Sequence, residues 1–382
     1  MESLMISPPA ITGLGLVTVL GSSADETWSA LLAGRSVSDH CRVPGFAGPT
    51  RAIDMAIRAA GEALSHARWT DRDCGKADTA LIVATSKGTI GSWISPLPPS
   101  PGTHFSPSPG TPGEGRGEGR VSLGLCSIDS TLAQTFPFGL GPRLTISSAC
   151  SSGLHALARA ALALQSGEAC RALVVATEAS VHPLFISSFK RLGILSPEGH
   201  GCRPFDLDRK GFVITEAAAA ICLESPDHPL GRPLTRLSGW ALGSDATHLT
   251  GCDPAATSLR NLLHRIAPPN LDLIHAHATG TLINDPAELG AILSIPQTGQ
   301  PILYSHKAAL GHTLGAAGLV SAVVNCLCHR EGLVPGNIRS TKPLPAGGLR
   351  VSREAIAKPI HHSLALAAGF AGPLAAVCFA AP

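Results

Sequence analysis

Apolar positions along the chain follow two periods in turn. Residues 11–20, Ile-Thr-Gly-Leu-Gly-Leu-Val-Thr-Val-Leu, form a run that predicts a buried first strand ending in a glycine turn at Gly21. Ser23 or Asp25 is placed to cap the helix that follows, through Leu31 and Leu32 to Gly34. Residues 52–67 carry Ala56, Ala60, Ala63 and Leu64 at helical spacing and predict a second helix, and 79–85 a second buried strand. Further on come a helix to about Gln165, a strand over 172–177 and a helix over 183–192. From Pro233 the order restarts: strand 234–242, helix 256–266, strand 271–275, helix 285–293, strand 302–304, and a long Ala/Gly/Val helix from His312. Strands alternating with helices predict an α/β fold on a mostly buried sheet. Two rounds of the same order predict two pseudo-duplicated halves, 1–230 and 231–382.

Two stretches depart from this pattern. Residues 95–119 are rich in Pro, Gly and Ser, with two segments that echo each other, and cannot form a packed element. They are expected to be a repeat-derived insertion, disordered or looped on the surface. Residues 363–382 are uncharged, long enough for a membrane span, but Gly369, Gly372 and Pro373 divide them. Two buried strands joined by a tight turn fit better than a lipid-facing helix, so no membrane span is expected.

Composition narrows the picture. Hydrophobic residues make up 44% of the 382 and charged residues only 15%, so a large share of the chain is buried. Aromatic residues are 4%, with Tyr304 the single tyrosine, which leaves a core of Ala, Leu, Val and Ile suited to close helix-on-sheet packing. A net charge of +2, with no basic stripe and interleaved aromatics, predicts no nucleic-acid partner. Eleven scattered cysteines and no basic-then-apolar leader point to a reducing, cytoplasmic compartment. Cys326, Cys328 and His329 lie in a helical run without a second ligand pair, so packing is expected there, and no metal site.

The chemistry gathers at three junctions. In residues 145–157, Thr-Ile-Ser-Ser-Ala-Cys-Ser-Ser-Gly-Leu-His-Ala-Leu, Cys150 stands where a strand gives way to a helix. Free backbone N–H groups and the helix dipole favour a thiolate at such a position, which makes Cys150 a candidate nucleophile. The second junction is His277-Ala-Thr279-Gly-Thr281-Leu-Ile-Asn284-Asp285-Pro-Ala-Glu288, directly after a strand. The third is Ser305-His-Lys307-Ala-Ala-Leu-Gly311-His312, where His312 takes the place in the second half that Cys150 takes in the first. A two-fold related fold would bring these junctions together.

These residues resemble the β-ketoacyl-acyl-carrier-protein synthases of the two-histidine type, in the thiolase-like superfamily. Nearly the whole chain takes part. The shared stretches include Thr12-Gly-Leu-Gly15, Ala149-Cys-Ser-Ser-Gly153, Arg203-Pro-Phe-Asp206 with Gly211-Phe212, Ser244-Asp245, both histidine motifs and Gly369-Phe370-Ala-Gly372. The resemblance implies a thiolase-like five-layered αβαβα fold and an acyltransferase that joins a malonyl-carrier to an acyl chain by decarboxylative Claisen condensation. It implies Cys150 as acyl acceptor and His277 and His312 as enolate stabilisers. Lys307 would support them electrostatically, with Glu288 and Asp285 nearby. The backbone N–H groups of Cys150 and Phe370 would form the oxyanion hole, and Thr279 and Thr281 would hold the pantetheine arm. No cofactor is implied beyond the carrier's phosphopantetheine; the partners implied are an acyl-carrier protein and a second subunit, usually in a homodimer.

The chain departs from the family pattern in places. Ser321 stands where a glutamate is usual, Pro373-Leu374 replaces the usual polar pair, and Arg51 and Arg58 are what remains of a basic carrier-docking cluster. The alternative reading is a non-condensing partner subunit of a heterodimeric synthase, against which the retained Cys150 counts.

Overall fold

The structure is a computed structural model that describes residues 8–90, 127–227 and 229–382. The insertion expected at 95–119 lies outside the described residues. In the first half the strands are β1 (Ala10–Thr18), β2 (Thr79–Ala84), β3 (Arg143–Ile146), β4 (Arg171–Glu178) and β5 (Ala217–Glu224). The helices there are α1 (Ala24–Leu32), α2 (Arg51–Ala67), α3 (Asp71–Cys74), α4 (Ser127–Thr135), α5 (Ser152–Gln165) and α6 (Pro183–Arg191). The second half has β6 (Thr235–Ser244), β7 (Leu273–His275), β8 (Ile302–Tyr304), the short ribbon β9 (Leu333–Val334) with β10 (Ile356–Ala357), β11 (His362–Ala368) and β12 (Pro373–Ala380). Its helices are α7 (Thr257–Ile266), α8 (Asn284–Leu293), α9 (Lys307–Leu310) and α10 (Ala317–Glu331).

The strand order is β3-β2-β4-β5-β1-β6-β12-β11-β7-β8. Read outward from the middle and leaving aside the β9–β10 ribbon, each half runs first, fifth, fourth, second, third in its own numbering, so the two halves mirror each other about the β1–β6 seam. That seam is narrow: Ala10 pairs with Arg236 and Ile11 with Thr235. The two expected sheets are thus hydrogen-bonded into one ribbon at a single short contact. Helices α5 and α10 pack together between the halves, touching β4 and β5 on one side and β11 and β12 on the other. Helix α2 covers the outer face of the first half and α7 with α8 that of the second, which completes the αβαβα layering.

Sequence accounts for these choices. In α10 every residue from Ala317 to Cys328 is buried, as befits a helix enclosed on all sides rather than an amphipathic one. On α2, Ala56, Ala59, Ala60 and Ala63 are buried against β1, where Gly13 and Gly15 leave no room for a Cβ. Ser23 caps α1 by accepting the Glu26 N–H. The uncharged C-terminal stretch forms the antiparallel pair β11–β12, and no helix among the described residues is long and apolar enough to cross a membrane.

One element differs from expectation. The long helix does not begin at His312. Gly311 turns the chain with φ +71°, His312 donates its backbone N–H to Val213 (2.8 Å), and Thr215 donates back to the His312 carbonyl (3.0 Å). This exchange holds the segment extended, and α10 starts only at Ala317.

Candidate active site

Cys150 is held by an elbow built from small side chains. Ala149, just before it, has φ +48°, a left-handed conformation that alanine rarely adopts. Three hydroxyl bonds tie the turn: Ser148 N–H donates to Ser152 Oγ (2.8 Å), Ser152 donates to the Ala149 carbonyl (2.6 Å), and Ser151 donates to the Ser148 carbonyl (2.7 Å). Gly153 follows, and there α5 meets α10: a Cβ on Gly153 would lie 2.5 Å from the Leu319 backbone nitrogen. Gly318 answers from α10, where a Cβ would lie 2.9 Å from the Leu154 nitrogen. The glycine pair is what lets the two central helices, and the loops that lead into them, approach.

The loop after β7 is shaped by two buried carboxylates. Glu288 accepts the backbone N–H groups of His277 (2.6 Å) and Ala278 (2.7 Å). Asp285 accepts from Gly280 (3.0 Å) and from Phe205 (2.9 Å), which joins this loop to the Arg203-Pro-Phe-Asp206 segment. Arg209, three residues beyond that segment, donates to the carbonyls of Thr281 (3.0 Å) and Leu282 (3.2 Å). Burial raises Asp285 to about 6 and pushes Glu288 well above the usual carboxylate range. The side chains of Thr279 and Thr281 share a hydrogen bond of 3.0 Å.

His277 and His312 stand edge to face with ring centres 5.4 Å apart, and Phe212 meets His312 at 4.9 Å. Neither ring hydrogen-bonds to a described residue, and both Nδ1 atoms are buried without a partner. Burial first, then the positive charge of Lys307, holds both imidazoles neutral, well below their ordinary range. Lys307 is itself fully buried, and its ammonium is shifted down by burial while Glu288 pulls it back up. No carboxylate lies within 4 Å of that ammonium among the described residues.

Cys150, His277, His312, Thr279, Thr281 and Phe370 line one cavity of about 320 Å³, open at one side. Most of its remaining wall is apolar, with Leu192, Ile194, Phe212, Leu282 and Ile283. The loop bearing Phe370 lies against the cysteine elbow, since a Cβ on Gly369 would meet Ala149 Cβ and the Ser148 carbonyl at 3.0 Å. Neither the backbone N–H of Cys150 nor that of Phe370 donates to any described residue. The cavity therefore offers a sulfur, two neutral imidazoles and two free amide donors. A nucleophile beside uncommitted donors suits acyl transfer.

One electrostatic expectation is corrected. The thiol of Cys150 is not shifted toward the thiolate; burial raises it to about 11, with Lys87 and Lys307 pulling down and Glu178 pushing up. Helix α5 begins two residues beyond the sulfur, at Ser152. The resting nucleophile is thus a protonated thiol beside two neutral bases. Arg51 is also not a surface docking group: it is buried, paired with Glu216 at 2.9 Å and bonded to the Ala179 carbonyl.

The comparisons with known proteins follow the same lines. The family model for the β-ketoacyl synthase N-terminal domain matches residues 49–228, and that for the C-terminal domain matches 234–341. The chain belongs to the β-ketoacyl synthase family. A 3-oxoacyl-[acyl-carrier-protein] synthase 2 from Coxiella burnetii is 31% identical, over 87% of this chain and 88% of its own. A ketosynthase solved in complex with its type II PKS acyl-carrier protein, bound to the hexaketide, has TM-score 0.84 at 24% identity, covering 99% of this chain and 100% of its own. The ishigamide ketosynthase/chain length factor has TM-score 0.83 at 24% identity, with the same coverage. The fold is the thiolase-like fold of these ketosynthases, and family membership makes the chain a condensing acyltransferase.

Sequence reasoning overlooked several side chains that shape this family member's site. Phe189 of α6 stacks on Phe370 with ring centres 5.9 Å apart, and edges onto Phe212 at 5.9 Å. In so aromatic-poor a chain, three phenylalanines near glycine motifs were the available signal. His275 and His306, fully buried beside the motif residues, were also passed over.

Proposed function

We propose that the protein condenses a malonyl unit with an acyl chain carried as a thioester on Cys150, with both substrates delivered on the phosphopantetheine arm of an acyl-carrier protein. The observation that carries this reading is the placement of Cys150, His277 and His312 on one cavity with two uncommitted backbone N–H groups.

In the first half-reaction the buried thiol attacks the acyl thioester. Its proton goes to the departing pantetheine sulfur, so no net charge is stranded. The amides of Cys150 and Phe370 donate hydrogen bonds to the developing oxyanion, a contribution of about 3 kcal/mol per donor. In the second half-reaction the malonyl carboxylate leaves as carbon dioxide, and its bonding electrons form an enolate whose oxygen receives hydrogen bonds from Nε2 of His277 and His312. The enolate carbon attacks the acyl carbonyl, the carbon–sulfur bond breaks, and the thiolate takes up one proton. Lys307 supplies positive charge behind the two rings. Thr279 and Thr281, at the cavity wall, hold the pantetheine arm. These steps use the chain's own side chains and the substrates' thioesters.

The non-condensing partner-subunit alternative is not favoured, because the chain retains the thiol and both imidazoles and resembles 3-oxoacyl-acyl-carrier-protein synthases over most of its length. A homodimer is the assembly we infer, with a heterodimer the other outcome of a sedimentation measurement. The half-buried edge strand β3 supports a paired state. The halves 1–230 and 231–382 are read as one duplicated unit, supported by the mirrored strand order. A cytoplasmic site of action fits the free cysteines among the described residues.

The test is to incubate the protein with an acyl-carrier thioester and measure its intact mass. Acylation of the wild type that fails in Cys150→Ala supports the reading; an unacylated wild type refutes it.

A further inference from the structure

A group of buried and half-buried polar side chains that the mechanism above does not use follows one face of α10. Ser321, Asn325 and His329 recur every four residues there, facing His275 at the end of β7, His306 just after β8, and Ser363 in β11. Their hydrogen bonds all point one way. Asn325 Nδ2 donates to Ser363 Oγ (3.2 Å), which leaves Asn325 Oδ1 to accept from His275 Nδ1 (2.8 Å). Nε2 of His275 is then an acceptor. It receives the His306 backbone N–H (3.2 Å) and the His306 Nδ1–H (2.9 Å). Ser321 spends its proton on the Ala317 carbonyl (3.1 Å), so its oxygen, 3.3 Å from His306 Nδ1, is a second acceptor for the same hydrogen.

Each link fixes the next. His306 is held as the Nδ1-protonated tautomer, and its Nε2 presents a bare lone pair with no partner among the described residues, in a side chain with no exposure. A carboxamide in the middle of the chain suits orientation rather than proton conduction, since its oxygen can only accept and its nitrogen only donate. Lys307, the next residue, is buried with no carboxylate within 4 Å and no side-chain hydrogen bond to a described residue. The Nδ1 atoms of His277 and His312 are unpartnered as well. Buried polar atoms nearly always have partners, and a cluster of unpartnered ones marks the place of an internal water held by two to four groups.

Resting on the condensing reading above, we propose that His306 is a positioning residue of the reaction centre, its Nε2 accepting from a buried water that in turn accepts from the Lys307 ammonium. The Ser363–Asn325–His275 chain locks the tautomer this requires. A neutral imidazole and a water thereby fix the direction of the lysine charge behind His277 and His312, without a carboxylate in contact with it.

Two substitutions separate this role from simple core packing. His306→Asn places its amide nitrogen where Nδ1 was, keeping the bond to His275 but removing the outer acceptor. His306→Gln places an oxygen near the Nε2 position. With hexanoyl-pantetheine and malonyl-pantetheine as probes, His306→Asn is expected to lower kcat for condensation by about tenfold to a hundredfold, the worth of one buried hydrogen bond. KM for the malonyl probe, Cys150 acylation by mass and the thermal transition are expected to stay near wild type, and His306→Gln to recover most of kcat. A crystal structure of the wild-type protein is expected to show the water between His306 Nε2 and Lys307 Nζ. The proposal is overturned if His306→Asn keeps wild-type kcat, if both variants lose it equally, or if no water lies between those atoms. A wild type that condenses neither probe would instead remove the condensing reading on which this rests.

Discussion

Gly153→Ala should separate the two central helices and, with them, the reacting groups. The added Cβ would sit 2.5 Å from the Leu319 nitrogen and 3.0 Å from Leu319 Cβ, both atoms of α10 with no rotamer by which to step aside. Restoring ordinary contact demands a shift of about 1 Å between α5 and α10, since packed interiors leave no slack to absorb it. Overpacking of this kind costs about 1–3 kcal/mol of stability. The catalytic cost is larger. Cys150 precedes α5 and His312 precedes α10, so the shift falls on the distance between nucleophile and imidazole, and about 1 Å of misplacement lowers turnover by roughly a hundredfold. The assay is steady-state condensation beside a thermal melt, with Gly299→Ala, at a surface glycine whose Cβ would meet nothing within 4 Å, as the control for added bulk. Wild-type kcat in a folded Gly153→Ala variant would refute the claim that this glycine sets the approach of the two loops.

Three further outcomes follow from the same contacts. The imidazoles of His275, His277, His306 and His312 are all held neutral by burial, so the unfolded chain binds protons below about pH 6.5 that the folded chain does not, and stability must fall on acidification through that value. Each contributes about 1.4 kcal/mol per pH unit below 6.5. The raised carboxyls of Asp285 and Glu288 act in the opposite sense. The net loss between pH 7.5 and 5.5 is about 3 kcal/mol, readable as an earlier urea midpoint; a midpoint constant across that range would contradict it. Arg51→Met leaves the buried carboxylate of Glu216 uncompensated and should cost about 3–5 kcal/mol in urea unfolding, whereas unchanged stability with weakened carrier binding would restore Arg51 to a docking role. Glu288→Gln turns an amide toward one of the N–H groups of His277 and Ala278. It should reduce kcat at least tenfold or so while Cys150 still acylates, and equal loss of both half-reactions would show that the carboxylate does more than orient His277.

What could be read from the chain beforehand was local. The cysteine elbow, the histidine loop and the C-terminal strand pair each sit within a few residues of their own small-residue signature, and Ser23 announced its helix. Contacts between distant residues were beyond that reach. Arg51 looked like a surface cation because Glu216, 165 residues away, supplies no local pattern. The start of the last central helix was misplaced for the same reason: Val213 and Thr215 claim the backbone of His312 and keep it extended despite the helical composition that follows. The thiol of Cys150 was expected to be acidified by the helix end, but burial raises it instead. His275 and His306 escaped notice because a buried imidazole is recognisable only from the partners that tertiary packing brings to it.

The most direct test of the central claim is the intact mass of the protein after exposure to an acyl-carrier thioester, followed by addition of malonyl-carrier. The wild type should gain one acyl group and then lose it as the condensed product is released, while Cys150→Ala gains none. An acyl mass that never appears on the wild type, or that appears undiminished on Cys150→Ala, would contradict the assignment of Cys150 as the acyl-accepting nucleophile.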